Sequence, residues 1–323
     1  MNPHIKPITI GGVYIKNNVF LAPLAGYTDS AFRRICKRYG AGLAFSEMVS
    51  IDALYFGSQK TMDILAFKNE EHPIGVQLFG GHPERVEKAL RKIEGTAFDF
   101  IDFNAGCPVK KVIKSRAGSY LLTDLPLLRE MLTAIKENTD KPLTLKTRIG
   151  WDSGTINVEK VLEMVQKIGV SMLTVHTRTR AEGFKSECHI DILSRLKKQS
   201  SIPIVGNGGI KDFKSANRYF DEAAADAVMV GRAAFEKPWI FKEIIENRDF
   251  EADIDERVDL MLEQINDMRK ERGDITTANE IKKFLAHYSK GLPGAAEFRK
   301  SIFASSDIDN IMQNISTFKK VCK

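Results

Sequence analysis

The run Asn104-Ala105-Gly106-Cys107-Pro108 follows directly on an apolar stretch, Phe98-Asp99-Phe100-Ile101-Asp102-Phe103, and so places a thiol just past a buried element. A free cysteine is most often a small buried hydrophobe. A core cysteine, however, needs neither the tight Gly106–Pro108 loop nor the amide of Asn104, which can read the polar edge of a planar ligand. The next residues, Val109 to Ser119, carry Lys110, Lys111, Lys114 and Arg116 and no acidic side chain. A thiol beside such a segment suits chemistry on a polyanion; the competing reading is a solvated cationic face. With an ordinary thiol pKa near about 8.5, Cys107 would be mostly protonated at neutral pH and a competent general acid. A nucleophilic role would need a thiolate. The nearby cations favour the thiolate, so the sequence leaves the thiol's ionisation open.

The elements that must position these residues are short apolar, β-branched runs alternating with amphipathic helical patterns. The strands expected are Val19–Ala22, Leu43–Glu47, Ile74–Phe79, Phe98–Phe103, Leu143–Thr147, Met172–His176, Ile202–Val205 and Ala227–Val230. Helices are expected between them, for example over Glu84–Ile93 and Val158–Val165, where apolar residues recur at helical spacing. Eight such units in about 200 to 250 residues predict an eightfold β/α (TIM) barrel over residues 1–243, with its active face at the carboxyl ends of the strands.

At those ends lie Pro23-Leu24-Ala25-Gly26, Glu47, Gln77, Asn104 with Cys107, Lys146 with Arg148, His176 with Arg178, Gly206-Asn207-Gly208-Gly209 and Gly231-Arg232. Any one is unremarkable, and a lone histidine is more often a satisfied interior residue. Together they describe a site. The glycine loops after the seventh and eighth strands, with the fixed charge of Arg232, form a candidate phosphate cradle.

The segment Asn104 to Leu122, with Asn-x-Gly-Cys-Pro, Lys111-Val112 and Ala117-Gly118-Ser119-Tyr120-Leu121-Leu122, resembles the signature of the tRNA-dihydrouridine synthases. The similarity runs from Ala22-Pro23-Leu24-Ala25-Gly26 to Lys290-Gly291-Leu292-Pro293-Gly294-Ala295-Ala296 and is greatest to the bacterial B-type branch. The resemblance implies an FMN-dependent oxidoreductase that reduces uridine in tRNA, with NADPH, or NADH, as reductant. It puts Ala22, Pro23 and Leu24 under the isoalloxazine, Gln77 and Lys146 at its polar edge, and Asn207, Gly208, Gly209, Gly231 and Arg232 around the phosphate. His176 lines the same pocket. Hydride from the flavin would reach carbon 6 of uracil, and Cys107 would give the proton to carbon 5. The chain departs from the family pattern at Gly209, where aspartate is common, at Leu24, where methionine is common, and at Ile281-Lys282-Lys283-Phe284, where histidine usually follows the basic pair.

Beyond residue 243 the pattern is wholly helical, giving a second expected domain, 244–323. Residues 244–275 hold 5 Lys+Arg against 11 Asp+Glu and residues 276–323 hold 8 against 4, so the second half is the candidate RNA surface. A base inside folded tRNA must be splayed out to enter a pocket, which requires cations around the opening. Candidates are Asn104, Lys110, Lys111, Lys114, Arg148 and Arg178 on the barrel, with Arg180 and Lys185. The helical region adds Lys282, Lys283, Lys290, Arg299 and Lys300.

The net charge of +6 is compatible with a nucleic-acid partner, here tRNA rather than DNA. Cys36, Cys107, Cys188 and Cys322 are widely separated, which fits neither a metal site nor a disulfide framework. No run approaches the roughly 18 apolar residues of a membrane span, and the amino terminus lacks the apolar region of a signal peptide, so the expected location is cytoplasmic. The alternatives are a flavin enzyme resembling dihydroorotate dehydrogenase, acting on a free pyrimidine, and a non-catalytic RNA-binding barrel. The first leaves the basic helical region unexplained. Cys107, Lys146 and Gln77 together argue against the second.

Overall fold

The computed structural model describes residues 1–323. Its first element is one the sequence reading left out, an antiparallel hairpin of β1 (Ile8–Ile10) and β2 (Val13–Ile15). Its strands of three residues are too short to show a period, although Gly11-Gly12 marks the turn. Eight parallel strands follow: β3 (Val19–Leu21), β4 (Ala44–Ser50), β5 (Ile74–Phe79), β6 (Phe100–Ala105), β7 (Leu143–Arg148), β8 (Met172–His176), β9 (Ile204–Asn207) and β10 (Ala227–Val230). They pair in the order β3-β10-β9-β8-β7-β6-β5-β4, and a parallel bridge between Phe20 and Leu43 joins the two ends of the sheet. The eightfold β/α barrel expected from the alternation is therefore present, with shifts of one or two residues at strand ends.

The barrel interior is filled by Phe20, Phe45, Phe100, Met172, Val205 and Met229, and Ile10 and Ile15 of the hairpin belong to the same apolar cluster. The hairpin plugs the amino-terminal mouth, where Gly11 abuts Pro142 and Ser171 just before β7 and β8. Only the carboxyl-terminal mouth is left for a site. Outside the sheet, helix Val158–Ile168 buries Val158, Val161, Leu162 and Val165 as its spacing demands. The helix expected over 84–93 is shorter, a 3-10 turn at Pro83–Arg85 leading into Val86–Arg91.

Helix Ile240–Glu246 runs through residue 243, where the sequence reading divided the chain, and buries Ile240, Phe241 and Ile244 against the barrel. Four helices follow, Ile254–Arg272, Asp274–Tyr288, Ala295–Ala304 and Ile308–Cys322. Their apolar faces, including Val258, Ile281, Phe284 and Ile311, join the cluster that coats the barrel. The acidic excess of residues 244–275 has a local partner: Arg34 of the barrel helix Ser30–Arg38 meets Asp267 at 2.9 Å and Glu271 at 2.8 Å, and Arg38 pairs with Glu263. No helix is long and apolar enough to cross a membrane.

Candidate active site

A cavity of about 660 Å³ opens at the carboxyl ends of the strands. Ala22, Pro23, Leu24, Asn104, Cys107, Lys146, Arg148, His176, Arg178, Asn207, Gly208, Gly209, Gly231 and Arg232 all line it, as the sequence pattern required. Parallel register explains the convergence. Asn104, Lys146 and Thr174 are level across β6, β7 and β8, and Arg148, His176 and Asn207 are level across β7, β8 and β9. A second cavity, of about 480 Å³, lies away from these residues; its arginines, Arg34 and Arg38, are already paired with acids.

Lys146 points its ammonium at Asn207 Oδ1, 2.7 Å away, while Asn207 Nδ2 donates to the Met229 carbonyl at 2.7 Å. The amide is thereby oriented to accept from the lysine. Burial, then the neighbouring Arg148, lowers the Lys146 pKa to about 8. Burial likewise lowers Arg148 to about 10. His176 is held well below the usual histidine range by burial and by Arg148, Lys146, Arg178 and Arg232 around it, so its ring is neutral at pH 7. Four cationic side chains thus surround one neutral imidazole, and Glu236 at the rim is the one acidic side chain in the wall. Two buried donor-type atoms have no partner in the protein: His176 Nδ1 and Arg178 Nη1. A ligand bearing acceptors and negative charge fits that wall.

Cys107 is 9% exposed and faces the cavity. Burial pushes its thiol above the ordinary value, with the Val109 N–H, Arg148 and Lys146 opposing. The ionisation that the sequence left open is decided in favour of the neutral thiol, because desolvation outweighs the cations. Its backbone N–H donates to Asn104 Oδ1 at 2.9 Å, and that of Gly106 does so at 3.1 Å.

Several expected residues sit elsewhere than the pattern implied. Gln77 is fully buried and does not line the cavity; it lies behind Asn104, because its position on β5 faces the barrel interior. Arg148 reaches the wall, but its donors are directed to the carbonyls of Gly106, Thr179 and Gly183 at 2.9 to 3.0 Å, tying two loops together. Arg178 is 7% exposed and lies beside the Gly208–Gly209 loop rather than on an outer rim. Gly208 and Gly209 have φ of +119° and +62°, a conformation that favours glycine, so the loop's shape itself accounts for both residues. Lys110, Lys111 and Lys114 are exposed on a short helix beyond Cys107, outside the cavity wall. Of the helical-region candidates, Lys282 and Arg299 lie away from the wall, while Lys283 has its ammonium 5.2 Å from the centre of the Tyr27 ring.

Tyr27, Phe184 and Phe235 are wall residues that the sequence reading missed. Tyr27 stacks on Phe235 at 4.3 Å, and Phe235 lies 4.9 Å from His287 of the helical region. Phe184 stands 4.2 Å from the Arg232 guanidinium. Tyr27 could have been found as the aromatic next to Pro23–Gly26, and Phe184 as the one aromatic in a loop rich in charge.

The family model described as dihydrouridine synthase matches residues 20–323, a span that includes every residue of this wall. The chain belongs to the dihydrouridine synthase family. A probable tRNA-dihydrouridine synthase of Aquifex aeolicus is 36% identical, over 94% of this chain and 97% of that protein. The tRNA-dihydrouridine synthase B of Pseudomonas aeruginosa is 35% identical, over 96% and 95%. That membership leaves the dihydroorotate-dehydrogenase-like alternative without support. Among solved structures, TcOYE with pHBA aligns with a TM-score of 0.58 at 13% identity, over 77% of this chain and 94% of that one. A variant of NCR from Zymomonas mobilis aligns with a TM-score of 0.54 at 19% identity, over 78% and 94%. At such identities the likeness describes the barrel fold, and the dihydrouridine synthase assignment rests on the sequence relatives.

Proposed function

We propose that this chain reduces the carbon 5–carbon 6 double bond of uridines in tRNA, with FMN held in the cavity, NADPH or NADH as reductant and Cys107 as proton donor. The observation that carries the reading is a neutral, buried thiol in a wall otherwise rich in permanent cations. Reduced flavin, when bound, supplies the hydride to carbon 6. Cys107 then protonates carbon 5, a task that a thiol with a raised pKa keeps available at neutral pH.

The other residues bind and orient. Lys146, fixed by Asn207, stabilises negative charge at the flavin's pyrimidine edge in a site with little water. Arg178, Arg232 and the Gly208–Gly209 loop, with Gly231, suit the phosphate, and Ala22, Pro23 and Leu24 give an apolar seat for the ring. Gln77 acts on this site through Asn104. Lys110, Lys111 and Lys114 stand just outside the Cys107 loop, where the backbone of an extruded nucleotide would pass. Residues 1–246 then form the catalytic barrel, and the four helices from Ile254 add a second tRNA-facing surface.

The test is Cys107→Ala. The variant should copurify with flavin and accept electrons from NADPH at the parental rate, yet lose nearly all reoxidation by tRNA. Cys107→Ser, a much weaker acid, should fail in the same way. Full turnover in either variant removes Cys107 from the chemistry.

A further inference from the structure

We propose that Asp102, in the barrel interior beneath the cavity, is a positioning residue that sets the amide orientations of Gln77 and Asn104 and, through them, the placement of the Cys107 loop. Gln77, Asp102 and Thr144 are level across β5, β6 and β7. Asp102 is 0% exposed. Its Oδ1 accepts from Thr144 Oγ1 and its Oδ2 from Gln77 Nε2, each at 2.6 Å. Gln77 Oε1 accepts from Asn104 Nδ2 at 2.9 Å, and Asn104 Oδ1 accepts the backbone N–H groups of Gly106 and Cys107.

The chain has a direction. An ionised carboxylate can only accept, so the amino end of Gln77 must face Asp102. Its carbonyl end is then left for Asn104, whose own carbonyl end is left for the two backbone donors. Reversing any amide sets donor against donor in a buried place, where an unmade hydrogen bond is costly. Burial raises the Asp102 pKa to about 6, with Thr144, Gln77 and Lys146 opposing, so the carboxyl is ionised at neutral pH.

Asp102→Asn and Asp102→Leu separate orientation from charge. Asparagine can keep Oδ1 toward Gln77 and offer Nδ2 to the Thr144 hydroxyl, which can accept as well as donate. Leucine gives Gln77 no acceptor. The readout is the pH profile of Cys107 alkylation by iodoacetamide in the flavin-loaded protein, resolved from the other cysteines by peptide mass spectrometry. The charged groups of the adjoining strand β7 that act on the thiol, Lys146 and Arg148, are present in both variants. A loosened loop exposes the thiol, so Asp102→Leu should be alkylated at least threefold faster at pH 7, with its midpoint moved down. Asp102→Asn should keep the parental profile. A parental profile in Asp102→Leu overturns the proposal, as does an Asp102→Asn profile as altered as leucine's, which would make charge the cause. If Asp102→Leu does not fold, Gln77→Leu breaks the chain at its next link and must give the same shift; a parental profile there also overturns it.

The catalytic consequence rests on the reading of Cys107 as proton donor. Reoxidation of reduced flavin by tRNA should slow at least tenfold in Asp102→Leu and less than threefold in Asp102→Asn. A shifted thiol profile with unchanged reoxidation upholds the anchor and removes the acid role from Cys107.

Discussion

Lys146 and Arg232 are both cations of the cavity wall, yet their surroundings give them different sensitivities. Burial brings Lys146 to a pKa of about 8, so its charge is complete below that pH and is lost as the pH rises through it. Flavin affinity should therefore fall between pH 7 and 9, and Lys146→Met should bind more weakly with a flat profile over the same range. A fluorescence titration of flavin at each pH reads both outcomes. Arg232 is exposed at the head of helix Ala233–Glu236 and keeps its charge throughout. Arg232→Ala should weaken FMN binding by about 1.5 to 3 kcal/mol, the usual range for a charge-assisted hydrogen bond, with the same loss at pH 7 and 9. Unchanged affinity would move the phosphate to another part of the wall.

At the scale of elements, the strand-to-loop junction after β9 shows how closely backbone placement and site shape are linked. Gly206 lies so near the Tyr219 ring that a Cβ there would stand 2.2 Å from Cδ1. The Tyr219 hydroxyl lies 2.8 Å from that of Thr177 and within 2.7 Å of the Gly208 carbonyl, so the ring supports the glycine loop. Gly206→Ala must displace that ring. It should destabilise the fold by about 1 to 3 kcal/mol, as overpacking does, and reduce flavin content, with the urea midpoint and the flavin-to-protein absorbance ratio as measurements. A stable variant with full flavin would mean that the ring can shift without moving the loop. Arg148 plays a comparable part on the opposite wall, where one guanidinium ties the Cys107 loop to the Thr179–Gly183 loop.

For the whole molecule, the helical region meets the barrel mouth through Lys283 at Tyr27, His287 at Phe235 and Lys290 at Glu236, the last at 3.1 Å. An RNA lying across both parts would meet Lys110, Lys111 and Lys114 on one side and the cations of residues 276–323 on the other. Changing Lys282, Lys283, Arg299 and Lys300 together to glutamine should weaken tRNA binding and flatten the slope of log affinity against log salt, because fewer counterions are released. Flavin content should be unchanged. Changing Lys110, Lys111 and Lys114 should lower turnover along with affinity, since these side chains stand beside the thiol. A parental salt slope in the quadruple variant would place the RNA path off the helical surface.

The sequence by itself determined the barrel, its active face and fourteen residues of the cavity wall, because strand period, strand length and turn residues are local properties and parallel register carries all strand ends to one mouth. Its motifs also determined the family. Tertiary structure decided what depends on neighbours distant in the chain. It put Gln77 behind Asn104 rather than in the wall, turned Arg148 into a tie between loops, and brought Tyr27, Phe184 and Phe235 into the cavity. It also decided the protonation of Cys107: the sequence shows the cations that would lower the thiol's pKa, whereas the desolvation that outweighs them exists only once β6, β7 and their loops close around the sulfur.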